Sequence, residues 1–426
     1  MKKRIIAFII SAVMATSVCM FFGCKNEHTH TYGEWVEITA ATTTSAGQRE
    51  RVCESCGERE IEEIPAIEDK TKYYDGGYVN ILPSVISKYL AAENKAEYLY
   101  NFAAGTTVAD KVKGVSLGWV KTSAPYKLVI STDKDYNENT EEKIVKTFST
   151  TLYNLLPSET YYYKVIDANE NLIKTDSFRV KDGLRPIYCG NILNMRDTGG
   201  KTANGGVIKY GLVYRGPEIA DADTTAKRII TEDLGIKTEI DLRLNSTTPS
   251  ISDSITKHTL GIMQWDYLFP GMNSDRPASQ VLRDNLKKIF ELFADESNYP
   301  IVFHCSAGAD RTGTLAFLLN GLLGASYEEL AEDFEITSFY FGKRWRSEII
   351  EKNGKYVFGE GGAMQDNEGN LVAFDRTYKH IMKVYKTESG TLSDAIANYL
   401  KTSVGVTDSD ILSIKNIMIK SEQTTF

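Results

Sequence analysis

The feature that constrains this chain most is a short block near residue 300 that joins an apolar run, a glycine-containing loop and a second apolar stretch. Ile301-Val302-Phe303 is a continuous apolar run, typical of a buried parallel strand. Residues 304–313 form a small polar loop, and leucine and phenylalanine then recur at helical density until Gly324. A strand, a loop and a helix in this order place backbone N–H groups at a helix N-terminus, which is a ready site for an anion.

Within this loop, a cysteine and an arginine stand where phosphoryl chemistry needs them. Cys305 directly follows the predicted strand, so the loop amides and the helix dipole stabilise its thiolate. Arg311 comes six residues later, and its guanidinium fork can bind two phosphate oxygens. The pattern suits transfer of a phosphoryl group to sulfur, followed by hydrolysis of the phosphocysteine. Because Arg311 and the amides neutralise the phosphate, we expect no catalytic metal and no cofactor.

The block resembles the catalytic motif of the cysteine-dependent protein tyrosine phosphatase superfamily. Beyond Cys305 and Arg311 it carries the preceding His304, the central Gly308 and the following Thr312-Gly313. Within this superfamily the chain resembles the bacterial branch whose members act on phosphotyrosine and on lipid phosphates. Three stretches resemble motifs of that branch, namely residues 194–200, 211–216 and 240–243, and residues 390–419 resemble its closing helices. The resemblance implies an α/β catalytic domain over residues 185–426, with a mainly parallel sheet flanked by helices.

The resemblance also implies which loop residues bind the substrate. These are the residues between nucleophile and helix, together with the threonine after the arginine: Ser306, Ala307, Gly308, Ala309 and Thr312. Members that favour phosphoinositides often have a lysine where this chain has Ala309. Phosphotyrosine is therefore the expected substrate, with phosphoinositides or inositol phosphates as alternatives.

Several residues outside the loop are candidates for supporting it. His304, Arg196 and Asp197 are expected to hold the loop in place. The pairs Arg196–Asp197 and Asp241–Arg243 could orient the loop by ion pairing, and each could equally be a structural ion pair. Cys189 is expected to be a small buried hydrophobe, with a reserve thiol that protects the nucleophile as the alternative.

Two aspartates compete for the role of general acid, which must protonate the leaving oxygen. Asp310 directly precedes the loop arginine, a pattern found in the myotubularin-like and related lipid phosphatases. Asp266 lies some forty residues before the cysteine, where many members carry this residue on a separate loop. We favour Asp310, because the loop fixes its position, although it could instead brace the loop or cap the helix.

Another class of function is a phosphatase-like surface module that binds phosphorylated or sulfated ligands without turnover. The presence of Cys305, Asp310 and Arg311 together argues against it, because a domain without activity has no need to keep all three.

The first 24 residues read as an export signal. Lys2, Lys3 and Arg4 precede an apolar run from Ile5 to Phe22, and the chain becomes polar after Cys24. Gly23-Cys24 resembles a bacterial lipoprotein processing site, which implies lipidation of Cys24 and attachment to the membrane. We expect an extracytoplasmic, membrane-anchored lipoprotein; an uncleaved anchor or a secreted protein are the alternatives.

Residues 27–70 predict a small Cys-x-x-Cys module followed by an acidic linker. The side chains of His28, His30, Cys53 and Cys56 are of the types that bind zinc tetrahedrally. A structural cysteine pair without metal, either a disulfide or two thiols, is the alternative.

Residues 73–183 predict an all-β sandwich, because short alternating apolar runs recur between turn residues. The stretch around Tyr161 resembles the tyrosine corner of fibronectin type III domains, which implies that its hydroxyl bonds to upstream backbone and that Trp119 is buried in the core. The segment from Tyr78 to Phe102 has helical spacing, and the sequence leaves open which neighbour it packs on.

With 49 Lys+Arg against 57 Asp+Glu, the net charge of −8 does not favour a nucleic-acid partner.

Overall fold

The structure is a computed structural model of the chain, and it describes residues 29–39, 46–64, 74–75, 78–105, 112–272, 279–361, 365 and 372–421. The chain divides into two compact units, Met1–Glu68 and Asp69–Phe426. The predicted signal segment with Cys24 and the predicted zinc ligand His28 lie outside the described residues. Within the ranges above, no helix is both long and apolar enough to span a bilayer.

The first unit contains a three-stranded antiparallel sheet. Its strands follow the chain order and are β1 Val36–Thr39, β2 Gly47–Val52 and β3 Arg59–Ile64. Arg49 pairs with Glu62 across neighbouring strands, and Arg51 with Glu60. The side chains of these ion pairs are one third to one half exposed, so each pair adds little to stability.

The second unit begins with two packed β-sheets. Its first elements are β4 Tyr74–Asp75, β5 Tyr78–Val79, α1 Ser84–Leu90, α2 Lys95–Gly105, β6 Val115–Gly118, β7 Tyr126–Ser131, β8 Thr140–Val145, β9 Ser149–Leu152, β10 Thr160–Ile166 and β11 Leu172–Val180. One sheet has the order β4-β5-β11-β10-β7-β8, and the other pairs β6 with β9. Side chains from both sheets share one core. Trp119 is buried there, and Tyr161 accepts a hydrogen bond from the Leu156 N–H at 2.8 Å, so both of these predictions are confirmed.

The helices α1 and α2 do not pack into the core between these two sheets. Ile86, Tyr89 and Leu99 instead join a hydrophobic cluster with Phe339 and Trp345, which lie much later in the chain. Of the two neighbours that the sequence left open for this helical pair, the structure shows packing on residues 336–345.

The remaining elements surround a five-stranded sheet. The strands from here on are β12 Arg196–Asp197, β13 Thr202–Ala203, β14 Gly206–Ile208, β15 Val213–Gly216, β16 Thr238–Asp241, β17 Thr256–Thr259, β18 Ile301–His304, β19 Ile349–Lys352, β20 Lys355–Phe358 and β21 Ile419–Ser421. The helices are α3 Thr224–Arg228, α4 Gln280–Ala294, α5 Asp310–Leu323, α6 Tyr327–Glu335, α7 Ser338–Phe341, α8 Phe374–Val384, α9 Leu392–Tyr399 and α10 Asp408–Met418. Short π-helical turns cover Ile229–Asp233 and Leu400–Val404, and 3-10 turns cover Trp265–Tyr267 and Glu296–Asn298.

The order of the five-stranded sheet is β12-β15-β18-β16-β17, and all its pairings except β12 with β15 are parallel. The predicted mainly parallel sheet is thus confirmed. Its central strand β18 is buried on both faces, since Ile301 and Phe303 point into one hydrophobic cluster and Val302 into another. A ligand site is expected at the carboxyl end of such a strand, where Cys305 begins the loop.

Candidate active site

The loop after β18 turns its peptide groups in one direction. Three successive carbonyl oxygens accept hydrogen bonds from groups outside the loop: Ser306 O from the Glu218 N–H (3.1 Å), Ala307 O from the Asn194 amide (3.4 Å) and Gly308 O from Arg215 (3.0 Å). In a trans peptide the N–H points opposite to the preceding carbonyl. The N–H groups of residues 307, 308 and 309 therefore face the interior of the loop, as an anion cradle requires.

Gly308 is needed for the loop to pack against strand β15. Its φ is +68°, and a Cβ atom placed on it would lie 2.5 Å from the carbonyl carbon of Gly216. A side chain here would both strain the backbone and push the loop away from the sheet. The central glycine of the sequence motif is thus explained by close packing.

Cys305 and Arg311 lie on the same loop with different exposure. Cys305 is only 3% exposed at the end of β18. Arg311 lies in the first turn of α5 and donates to Ser306 Oγ at 3.3 Å, across the loop. Thr312 is fully buried, and its hydroxyl has no hydrogen-bond partner among the described residues. The loop thus combines a buried sulfur with a half-buried guanidinium on its rim.

A buried positive network supports the loop from behind. Asp333 on α6 binds both Arg196, at 2.8 Å, and Arg215. Burial alone would raise the pKa of Asp333, but the charges of Arg196, Arg215 and Lys201 hold it well below its ordinary value. Burial and the neighbouring Arg196 lower the pKa of Arg215 to about 10, which still leaves it charged at neutral pH. Two guanidinium groups against one carboxylate give a net positive charge beside the anion cradle.

The suggested Arg196–Asp197 ion pair is wrong. Neighbouring residues on β12 point to opposite faces, so Arg196 reaches Asp333 while Asp197 reaches Arg185 at 3.0 Å. Asp197 also accepts hydrogen bonds from the backbone N–H groups of Gly199 and Gly211. Arg196 holds the loop through Asn194, whose side-chain oxygen it binds at 2.6 Å.

A second buried polar network lies under the other side of the loop. His304 Nε2 is 3.0 Å from Glu239 Oε1, and its Nδ1 is 3.2 Å from the Cys305 carbonyl. Lys257 Nζ lies 2.6 Å from Glu239 and 3.1 Å from Asp241. The donor set of Glu239, Asp241 and His304 is of the kind that binds metals, but the Lys257 ammonium already supplies the cation.

The predicted Asp241–Arg243 pair is present and reaches the loop. Arg243 donates to both oxygens of Asp241 at 2.9 and 2.7 Å, and it also pairs with Glu218. The Glu218 N–H is the group that binds the Ser306 carbonyl. This pair therefore connects the end of β16 to the anion cradle through one residue.

The two candidate general acids have different surroundings. Both oxygens of Asp310 accept from Arg344, at 2.6 and 3.1 Å, so the carboxylate is held by a guanidinium fork. The side chain of Asp266 lies outside the described residues. Its neighbour Trp265 is fully buried and donates its backbone N–H to Thr314 on α5 at 3.2 Å. Residue 266 is thus next in sequence to a residue anchored on the helix that begins at Asp310.

Several residues of this site were missed from the sequence. Asp333, Glu218, Glu239 and Arg344 carry no local signal, and Arg215 was seen only as part of a family landmark. Asp333 lies among the acidic residues of α6, a pattern that a solvated helix face shows as well. Only the tertiary structure distinguishes it from its exposed neighbours.

The family follows from comparison with known proteins. Residues 187–420, more than half of the chain, match the model of the Tyrosine phosphatase family. The chain belongs to this family, whose members are cysteine-dependent phosphatases.

Individual relatives match shorter regions. A putative tyrosine-protein phosphatase OCA1 of Meyerozyma guilliermondii is 30% identical over 108 residues, which cover 24% of this chain and 57% of that protein. A tyrosine-protein phosphatase of Nostoc commune is 27% identical over 130 residues, which cover 30% of this chain and 42% of that protein. A putative tyrosine-protein phosphatase of Cupriavidus necator is 28% identical over 174 residues, which cover 36% of this chain and 63% of that protein. The chain thus spans less than two thirds of each of these relatives.

Among solved structures, the core catalytic domain of the PP-IP phosphatase SIW14 from S. cerevisiae matches 34% of this chain and 78% of its own length. The sequence identity is 17% and the TM-score is 0.24.

Proposed function

We propose that this protein hydrolyses phosphate monoesters through a covalent phosphocysteine at Cys305. The observation that carries the proposal is the orientation of the loop: three carbonyls point outward and are bonded, so three amides point inward around the cysteine. Such preorganised donors stabilise negative charge that develops during the reaction. The positive network of Arg196, Arg215 and Asp333 adds to the same field.

The proposed reaction has two steps. In the first, the thiolate of Cys305 attacks phosphorus, the bond between phosphorus and the ester oxygen breaks, and a carboxyl group gives its proton to that oxygen. In the second, water attacks the phosphocysteine, the S–P bond breaks, and the same carboxylate takes a proton from the water. The products are an alcohol and inorganic phosphate, and Cys305 leaves the cycle as a thiolate.

We assign the proton transfer to Asp310, with Asp266 as the alternative. A donor must direct one oxygen at the leaving group, and in this structure both oxygens of Asp310 face Arg344. One of these two hydrogen bonds must therefore open during the reaction if Asp310 is the acid.

The expected substrate is a phenol that carries a single phosphate, such as a phosphotyrosine side chain in a protein. Two arginines next to the loop support this choice, because Arg344 is bound by Asp310, and Arg243 by Asp241 and Glu218. A ligand with several phosphates needs several unneutralised cations, and these two arginines already have carboxylate partners. Phosphoinositides and inositol phosphates remain the alternative substrates.

A substrate panel tests the proposal. Native protein is assayed for phosphate release from phosphotyrosine peptides, phosphoinositides and inositol phosphates, with the vanadate-treated protein as the blank. We expect the phosphotyrosine peptides to be hydrolysed fastest and EDTA to leave the rates unchanged. Binding of these compounds without phosphate release would instead indicate the surface binding module.

We also propose that the chain is exported and attached to the membrane through Cys24, with a fibronectin type III-like spacer between the anchor and the catalytic domain. The charged and apolar pattern of residues 1–24 supports this. Labelled palmitate should be incorporated into the native protein in cells and lost in Cys24→Ala. Equal labelling of both proteins, or of neither, would contradict the anchor.

A further inference from the structure

The first unit of the chain contains a turn that directs two sulfur atoms to the same side. After β2, the Cys53 N–H donates to Glu58 O at 2.8 Å, and the Gly57 N–H donates to Cys53 O at 2.9 Å. Gly57 has φ of +74°, which lets the chain reverse within four residues. Both Cys53 and Cys56 are present as thiols. The reversal therefore brings two metal-binding side chains together at the end of a hairpin.

A histidine from the preceding segment completes a set of three donors. The Glu54 N–H donates to Thr31 O at 3.0 Å, and Tyr32 forms an antiparallel bridge with Cys53. This pairing brings His30 to the turn, with its Nδ1 3.4 Å from Cys56 Sγ. The three donor atoms of His30, Cys53 and Cys56 all lie within 4.8 Å of one another.

These distances suit a tetrahedral zinc ion. Bond lengths of about 2.3 Å to sulfur and about 2.05 Å to nitrogen place two ligand atoms about 3.6 Å apart in a tetrahedron. The His30–Cys56 separation of 3.4 Å is close to this value. Thiolate and imidazole are also the ligands that favour zinc over magnesium or calcium.

The other nitrogen of the histidine has the partner that zinc-bound histidines usually have. His30 Nε2 lies 3.2 Å from the Glu58 carboxylate. A carboxylate in this position fixes the ring orientation and raises the basicity of the nitrogen that binds the metal. The same turn thus supplies two ligands and a group that orients the third.

A metal also explains how so small a unit holds together. In the described part of this unit, 29–39 and 46–64, the one buried hydrophobic side chain is that of Cys53. Val36, Ile38 and Ile61 are all about half exposed or more. Units this small with little core usually need a disulfide or a metal to stay folded.

We propose that His30, Cys53 and Cys56 supply three of the four ligands of a structural Zn²⁺ that holds the first unit together. His28, which the sequence predicts as the fourth ligand, lies outside the described residues. A cysteine pair without metal is the outcome that would refute it.

Metal content tests the proposal on the full-length protein. The chain is purified with reductant in the absence of oxygen, dialysed against metal-free buffer and analysed by mass spectrometry for bound metals. We expect about one zinc ion per chain in the native protein, and almost none in Cys56→Ser or His30→Ala. His258→Ala and Cys305→Ser are matched controls in the second unit and should keep their zinc. Equal zinc in all five proteins, or none in the reduced native protein, overturns the proposal.

Cobalt gives a readout that does not depend on the folding of a variant. Native protein is stripped by a chelator and reloaded with Co²⁺, and we expect a thiolate-to-cobalt absorption band and the intense visible bands of a tetrahedral site. Glu58→Gln should weaken metal binding by about 10- to 100-fold in a chelator competition, because the orienting carboxylate is lost. Absence of the thiolate-to-cobalt band in the native protein would show that the cysteines do not bind the metal, and would overturn the proposal.

Discussion

Cys305 and Cys189 are buried to nearly the same degree, 3% and 2% exposed, but their surroundings differ in kind. Cys189 lies in an apolar cluster with Ile187, Ile192 and Ile229, and its Sγ is 3.9 Å from a backbone carbonyl oxygen, an acceptor that cannot stabilise a thiolate. Burial raises its pKa to about 12, so it behaves as the small hydrophobe that was predicted. Cys305 begins a loop whose next three carbonyl oxygens are bonded on its outer side, which directs the following N–H groups inward, and it interacts electrostatically with Arg215. Under the proposed function, the direction of the neighbouring dipoles, and not the degree of burial, decides which of the two thiols reacts.

The largest expected effect comes from making the same substitution at both cysteines. Cys305→Ser should reduce hydrolysis of an aryl phosphate by on the order of a thousandfold or more, because a serine hydroxyl is hardly ionised. Cys189→Ser should keep nearly all of the turnover, although its melting temperature falls. Steady-state kinetics and thermal unfolding of both variants provide the comparison. Substantial turnover in a folded Cys305→Ser protein would show that the sulfur is not the nucleophile.

The next effect tests whether the thiolate works with Asp310. Loss of the general acid should lower the rate of phenyl phosphate hydrolysis by about 10²- to 10⁴-fold. The rate of nitrophenyl phosphate hydrolysis should fall much less, because nitrophenolate leaves without a proton. We expect this differential in Asp310→Asn.

Two controls separate proton donation from loop bracing. Arg344→Lys weakens the contact with Asp310 but keeps the carboxyl group, so it should not produce the leaving-group differential. If Asp310→Asn slows both substrates equally and Asp266→Asn shows the differential, the acid is Asp266.

A smaller effect comes from moving the amides that distinguish Cys305 from Cys189. Gly308→Ala forces the loop away from Gly216 and should reduce kcat by about 100-fold, because displacements near 1 Å are enough for such a loss. Gly235→Ala is the matched control, since Gly235 also has a positive φ (+59°) but no atom within 4 Å of the added Cβ. Equal activity of the two variants would mean that the amides need not be so closely positioned.

The smallest effect concerns the pH dependence that Cys189 gives to stability. Its folded pKa, about 12, is above the value of 9.0 for an unhindered thiol, so the unfolded chain loses this proton first as pH rises. The stability it contributes is present below pH 9 and is lost between pH 9 and 12, by on the order of 1 kcal/mol at pH 10. Urea unfolding at pH 8 and pH 10 should therefore show that the free energy of unfolding falls more for the native protein than for Cys189→Ala. Parallel losses would place this thiol in a more polar environment than the structure shows.

The part of the site that the sequence predicted is the part built from consecutive residues. The strand, loop and helix from Ile301 to Gly324 follow from local periodicity, and the structure begins α5 at Asp310 and ends it at Leu323. The orientation of a loop is decided by what its outer side touches, and those contacts come from distant segments. Arg196 and Asp333 are 137 residues apart, so no local pattern could pair them.

The Arg196–Asp197 prediction failed for the same reason. Adjacent residues of opposite charge suggest a pair, but strand geometry sends neighbouring side chains to opposite faces. The Asp241–Arg243 prediction succeeded because residues two apart on an extended segment point the same way, so the Arg243 side chain reaches the Asp241 carboxylate.

The helical pair α1–α2 has a consequence for how this protein can be shortened or recombined. Tyr89 donates a hydrogen bond to Glu335, which also binds Arg346, and the apolar side of the pair covers Phe339 and Trp345. A fragment that starts at residue 185 would leave those rings in water and remove a hydrogen bond from a buried carboxylate, so it should aggregate when expressed alone. The boundary that the sequence suggests near residue 185 is therefore not a place where the chain can be cut. A gene fusion that uses the region matching the Tyrosine phosphatase family must therefore include the chain from residue 78 onward.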